Sequence, residues 1–178
     1  MNMKMSAKQG FTLIELLVVI VILAILGAVA FPRFINQSSS ARAASIQAMA
    51  GSMRSALGLV YAQTTVSGIG SAGGVPGITF VTLQDGTSVR VWNGYPDRWC
   101  DGVGALQQGF TVPAGGCYLS NAAIPYNNYT FYGYGNTQIP GGDAGIRIES
   151  APSPTECSVQ YTYNGSGAPV VTAYTSGC

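Results

Sequence analysis

The 178-residue chain has no histidine and little charge. Without histidine there is no Ser-His-Asp triad, no Cys-His dyad and no His-ligated metal. Charged residues make up 8%, about a third of the usual share in a soluble domain. Eight Lys and Arg nearly balance seven Asp and Glu, so no basic field exists to attract nucleic acid. No Walker-type or dinucleotide glycine motif is present, and the 24 glycines follow no G-X-Y period. No motif pairs two carboxylates. Catalysis therefore has no visible machinery, and the expectation is a protein that is not an enzyme and carries no cofactor.

The length suits one domain and one core. Apolar residues, at 47%, are unevenly spread: from Leu16 to Ala30 no side chain is polar. The run from Phe11 to Phe31 has the length a helix needs to cross a bilayer. Lys4 and Lys8 precede it with no acid among them, which holds the N-terminus in the cytoplasm and sends the rest outward. Beyond Pro32 the chain is rich in Gly, Ser, Thr, Asn and Tyr, as suits a polar extracytoplasmic domain.

Two processing schemes compete. Ala28-Val29-Ala30 has the small-x-small pattern of a signal peptidase site, and cleavage there would release a domain starting at Phe31. Glu15 argues for another scheme. A carboxylate inside a membrane helix costs about 2.5–3.5 kcal/mol on insertion scales, and such a group usually has a partner. A cut between Gly10 and Phe11 would create an α-amino group at Phe11 that could pair with Glu15 of a neighbouring chain. Such a pair would set register, as a single polar core residue does in coiled coils.

Lys8-Gln9-Gly10-Phe11-Thr12-Leu13-Ile14-Glu15-Leu16 resembles the class III signal sequence of type IV pilins and pseudopilins. The stretch through Arg42 and Arg54 resembles pilins of the mannose-sensitive haemagglutinin type. The resemblance implies removal of residues 1–10 by prepilin peptidase and N-methylation of Phe11. It implies a role for Glu15 in methylation and assembly. Residues 11–31 become the membrane-spanning half of the helix, later the filament core, and residues 32–178 form the globular pilin domain. The implied protein is a filament subunit, used for adhesion, motility, DNA uptake or biofilm formation. Its partners would be further copies of itself, the prepilin peptidase, the inner-membrane assembly machinery and, before assembly, the membrane. The precursor would sit in the inner membrane and the product on the cell surface. The alternative is a type II secretion pseudopilin or a minor pilin. Against the pseudopilin stand four cysteines and no recognisable C-terminal calcium site.

Pro32 need not end the helix, but with Gly27 it marks a point of kinking or melting, because Pro removes a donor and Gly weakens the helix. The resemblance adds that this stretch partly unwinds in filaments. Further on, Ile46, Met49, Met53, Leu57 and Val60 fall on one helical face. The helix is expected from Phe11 to about Ala62, roughly 75–80 Å long. Strands are expected at 78–83, 88–92, 129–134, 145–149, 158–163 and 169–174. Asp85-Gly86 and Asn164-Gly165-Ser166-Gly167 mark hairpin turns. Pro169 should start a strand or lie on an edge. Residues 93–128 hold too much Gly, Pro and Asn for strand assignment. The fold class is α+β, a long helix packed on an antiparallel sheet, and it matches the ladle-shaped pilin fold that the N-terminus implies.

Cys100, Cys117, Cys157 and Cys178 allow three pairings in an oxidising compartment. The local one, Cys100–Cys117 with Cys157–Cys178, is preferred because it ties the C-terminal residue against the last hairpin. A zinc site is disfavoured because no CxxC spacing exists. Asp97, Asp101 and Asp143 lack EF-hand spacing and read as turn residues, so no metal is expected. Two aromatic clusters, Trp92–Trp99 and Tyr126–Tyr134, could stack on a surface receptor's sugars or on a neighbouring subunit. The plainer reading has them packing the sheet. Three Asn-x-Ser/Thr tripeptides, at Asn36, Asn128 and Asn164, match the glycosylation pattern but are common by chance. Losing the leader removes Lys4 and Lys8, leaving six arginines against seven acids. A near-neutral surface favours close packing over long-range steering.

Overall fold

The computed structural model of the chain describes residues 11–68, 77–114, 117 and 123–178, with the side chains of residues 31–36 left out. Among the described residues one α-helix, α1 (Leu13–Ser67), precedes eight strands. The chain divides into two units, residues through Ser38 and Ser39–Cys178.

In the first unit α1 is assigned without interruption through Gly27 and Pro32. A proline well inside a helix costs one hydrogen bond and crowds the carbonyl four residues back, yet neighbouring turns can continue the spiral.

In the second unit the rest of α1 buries Ile46, Ala50, Met53, Leu57, Val60 and Thr64. Their spacing alternates between four and three residues, which makes one stripe. Met49, expected on that stripe, lies at its border, and the smaller Ala50 takes the centre. The helix runs five residues beyond the expected Ala62. Thr64 and Thr65 donate their hydroxyls to the Tyr61 carbonyl at 2.9 and 2.7 Å, so these β-branched residues accept helical geometry. Gly68, at φ +62°, provides the left-handed residue that ends the helix.

The strands are antiparallel throughout but fall into two sheets rather than one. β1 (Ile78–Thr82), β2 (Ser88–Trp92) and the two-residue β3 (Tyr95–Pro96) make the first. β4 (Ala123–Tyr126), β5 (Tyr129–Tyr132), β6 (Ala144–Arg147), β7 (Ser158–Thr162) and β8 (Val170–Tyr174) make a five-stranded meander. β3 and β4 lie within the stretch whose composition gave no strand signal. Pro169 directly precedes β8, an edge strand, where a missing backbone donor is tolerated. In the β1–β2 turn, Asp85 Oδ1 accepts the Thr87 N–H at 2.9 Å and Gly86 takes φ +85°.

The main core joins Ile46, Ala50, Met53 and Leu57 to Phe131, Ile146, Val159 and Tyr161 of the meander. A smaller cluster joins Val60 to Val81, Val89 and Val91 of the first sheet. The same helix face thus serves both sheets.

Candidate functional site

The first functional segment begins at the head of α1. Thr12 precedes the helix, and its Oγ1 accepts the Glu15 N–H at 3.3 Å. Glu15 Oε2 in turn accepts the Thr12 N–H at 2.9 Å and the Thr12 hydroxyl at 2.7 Å. This is a reciprocal capping box, which satisfies orphan donors at a helix start. The spacing that marks Glu15 as a membrane-helix carboxylate therefore also gives it a partner in its own chain. Phe11 is 84% exposed. Gly10 lies outside the described residues.

Leu13–Ala30 has a mean hydropathy of 3.1 and none of it is buried. Leucines, isoleucines and valines project all round this part of the helix, so no face is left polar. A helix apolar all round must be covered by lipid or protein. Gly27 is in this segment, with nothing within 4 Å of where a Cβ would stand.

The cysteines form two bridges, Cys100–Cys117 and Cys157–Cys178, with Cα–Cα distances of 5.4 and 4.8 Å. All four are buried. Cys178 is also held by Arg42, whose Nε donates to its backbone oxygen at 2.7 Å. Arg54 Nη2 donates to the Val171 carbonyl, also at 2.7 Å. Two helix arginines thus clamp the last strand and the residue closing the second disulfide. Sequence reasoning assigned these arginines only to a resemblance, and the signal was their place beside an otherwise Ala- and Ser-rich helix.

The three aspartates read as turn residues are more than that. Asp97 Oδ2 lies 3.0 Å from Arg90 Nε, and Asp101 Oδ2 lies 4.0 Å from Arg90 Nη1. Arg90, Asp97 and Asp101 are all buried. Burial raises the pKa of Asp97 and Asp101 above the ordinary carboxylate value, and it outweighs the arginine's opposing pull. The signal missed was Arg90 between Val89 and Val91, in a strand buried on both faces. Asp143 Oδ2 accepts from Thr162 Oγ1 at 2.7 Å and Gln160 Nε2 at 3.2 Å. Among the described residues no three His, Cys, Asp or Glu cluster as a metal site would need.

The aromatic clusters pack. Tyr126, Phe131 and Tyr132 are buried, and Trp92, Tyr95, Trp99 and Tyr129 lie against the core. Tyr61 stacks on Tyr95 with ring centroids 4.4 Å apart. Tyr134 is partly exposed, and the Arg98 guanidinium covers its ring at 3.3 Å from the centroid.

Among the described residues nothing buries the apolar Leu13–Ala30 helix, and a capped carboxylate stands at its head, as suits a segment covered by lipid or by other chains. Comparison with known proteins agrees. Residues 5–31 match the prokaryotic N-terminal methylation motif. The chain is 39% identical over 111 residues to the type IV narrow pilus major component PilA5 of Thermus thermophilus, covering 61% of this chain and 89% of that one. No solved structure matches the chain. The chain belongs to the type IV pilins.

Proposed function

We propose that this chain is the structural subunit of an extracellular type IV filament. Prepilin peptidase removes residues 1–10, and the new N-terminal Phe11 is methylated. The precursor waits in the inner membrane with residues 11–31 in lipid. Assembly machinery then moves that helix into a filament core, where helices of many copies cover one another. The observation that carries this reading is the wholly unburied Leu13–Ala30 segment. At roughly 25 cal/mol per Å² of apolar surface removed from water, no such helix is stable alone in solvent. Lipid and the filament core both cover it. Gly27 and Pro32 supply the point at which the helix loosens as it leaves the membrane.

Immunogold labelling of the Ser39–Cys178 unit, on whole cells and on thin sections, tests the reading. Labelled filaments extending from the cell surface are expected. Label confined to the periplasm would turn the assignment to a pseudopilin.

A further inference from the structure

In the filament reading, the Phe11–Glu15 pair sets the register of the helices, and the globular units need a contact of their own. The Ser39–Cys178 unit offers a surface that supplies one. An open groove of about 860 Å³ lies between α1 and the segment after Leu106. Leu59, Phe80, Leu83 and Val112 line it, with Leu59 72% and Phe80 50% exposed. Among the described residues no Lys or Arg lines the groove, but Asp85 and Asp101 do. Asp101 is buried and has Arg90 nearby, so Asp85 is the carboxylate open to a partner. The Thr87 N–H that Asp85 accepts holds its pKa below the ordinary value and keeps it ionised.

The complementary surface is on the same unit. Arg54 is exposed and donates to the Val171 carbonyl of the edge strand β8, on which Val170 is 59% exposed. A guanidinium has five N–H donors, so the single bond to Val171 leaves others for a second partner. Leu59 and Arg54 are five residues apart, about 140° around the helix, on opposite flanks of the buried Ile46–Thr64 stripe. Groove and Val170–Arg54 patch are therefore different surfaces facing different ways. A contact between two such surfaces on identical chains is heterologous and need not close on itself.

We propose that the groove of one subunit receives the Val170–Arg54 face of a second copy, with Asp85 opposite Arg54. The proposal rests on the filament reading and gives the globular units their register. Apolar residues on both sides, the exposed Asp85 on one and Arg54 on the other, make the pair complementary.

The test places the photoreactive residue benzoylphenylalanine at Phe80, with a second strain carrying it at Leu59. Sheared filaments are irradiated, and joined peptides are mapped by mass spectrometry. Covalent dimers linking the probe to the strand around Val170 of another copy are expected. Filaments whose crosslinks fall elsewhere, or that give none at either position, overturn the proposal. Asp85→Asn keeps the turn acceptor for Thr87 while removing the charge. It is expected to lower crosslink yield by about threefold, and an unchanged yield overturns the Asp85–Arg54 pairing. Cells that express the unaltered chain and display no filaments contradict the filament reading instead.

Discussion

Thr12 and Glu15 cap each other: the Glu15 carboxylate accepts two hydrogen bonds from Thr12, and the Thr12 hydroxyl accepts the Glu15 N–H. A carboxylate with local donors is cheaper to hold near a membrane than a bare one. Before assembly, then, Glu15 has an internal partner. In the proposed filament it gains the Phe11 amino group of a neighbour, formed only after cleavage. Glu15→Ala is expected to leave membrane-inserted subunit at normal levels and to remove filaments, by cell fractionation and electron microscopy. Abundant filaments from this variant would contradict the pairing.

Gly27 sits in open surroundings within α1, so an added methyl meets no clash. Replacing Gly by Ala in a helix interior stabilises it by about 1 kcal/mol. Gly27→Ala should slow amide hydrogen exchange around residues 27–31 in assembled filaments by about fivefold. Equal exchange in both forms would remove Gly27 from the proposed loosening.

Arg90 balances two buried aspartates. Arg90→Met strands both, and breaking a buried pair in this way costs about 3–5 kcal/mol. Denaturant unfolding of the full chain in detergent reads that loss. The same site sets a pH dependence. Burial holds the folded pKa of Asp97 and Asp101 above 3.8, so the folded state takes up their protons first. Their unfavourable contribution is relieved as pH falls through the raised values towards 3.8. Glu149 behaves oppositely: its hydrogen bond from Arg147 lowers its pKa below 4.5. Its contribution is present above 4.5 and is lost as pH falls through the lowered value. Asp97→Asn should flatten the first effect and leave the second.

Gly165 occupies φ +82°, and a Cβ there would overlap the Trp92 indole. Its carbonyl accepts from Asn93 Nδ2 at 2.7 Å, tying the β7–β8 turn to the end of β2. Gly165→Ala is expected to destabilise the globular unit by about 1–3 kcal/mol, through strained backbone and a displaced Trp92. Tryptophan fluorescence during unfolding would register both.

Much of the fold was legible because it depends on periodicity. Ile46, Met53, Leu57 and Val60 fall on one face by spacing alone, and β1, β2 and β7 show in runs of β-branched and aromatic residues. The Asp85-Gly86 turn shows in its dipeptide. What was not legible depends on long-range partners. β3 pairs with β2 over two residues only, and β4 contains Pro125 and borders a disulfide loop, so neither carries a local signal. The two sheets part between Pro96 and Ala123, and the described residues of that stretch hold a short 3₁₀ turn at Gly104–Leu106 and the Cys100–Cys117 bridge. Asp97 and Asp101 looked like turn residues because composition cannot show that Arg90 lies behind them. At the N-terminus the position is reversed. Thr12 and Glu15 are three residues apart, so their contact is readable from the sequence, and the exposed helix that follows is explained by its composition.

The most direct test of the filament account is the intact mass and N-terminal sequence of protein sheared from the cell surface. The account predicts a chain that starts at methylated Phe11 and lacks four hydrogens. Peptide mapping without reductant should join Cys100 to Cys117 and Cys157 to Cys178. A chain starting at Phe31 would contradict the account, because the apolar helix and Glu15 would then be absent from the finished protein.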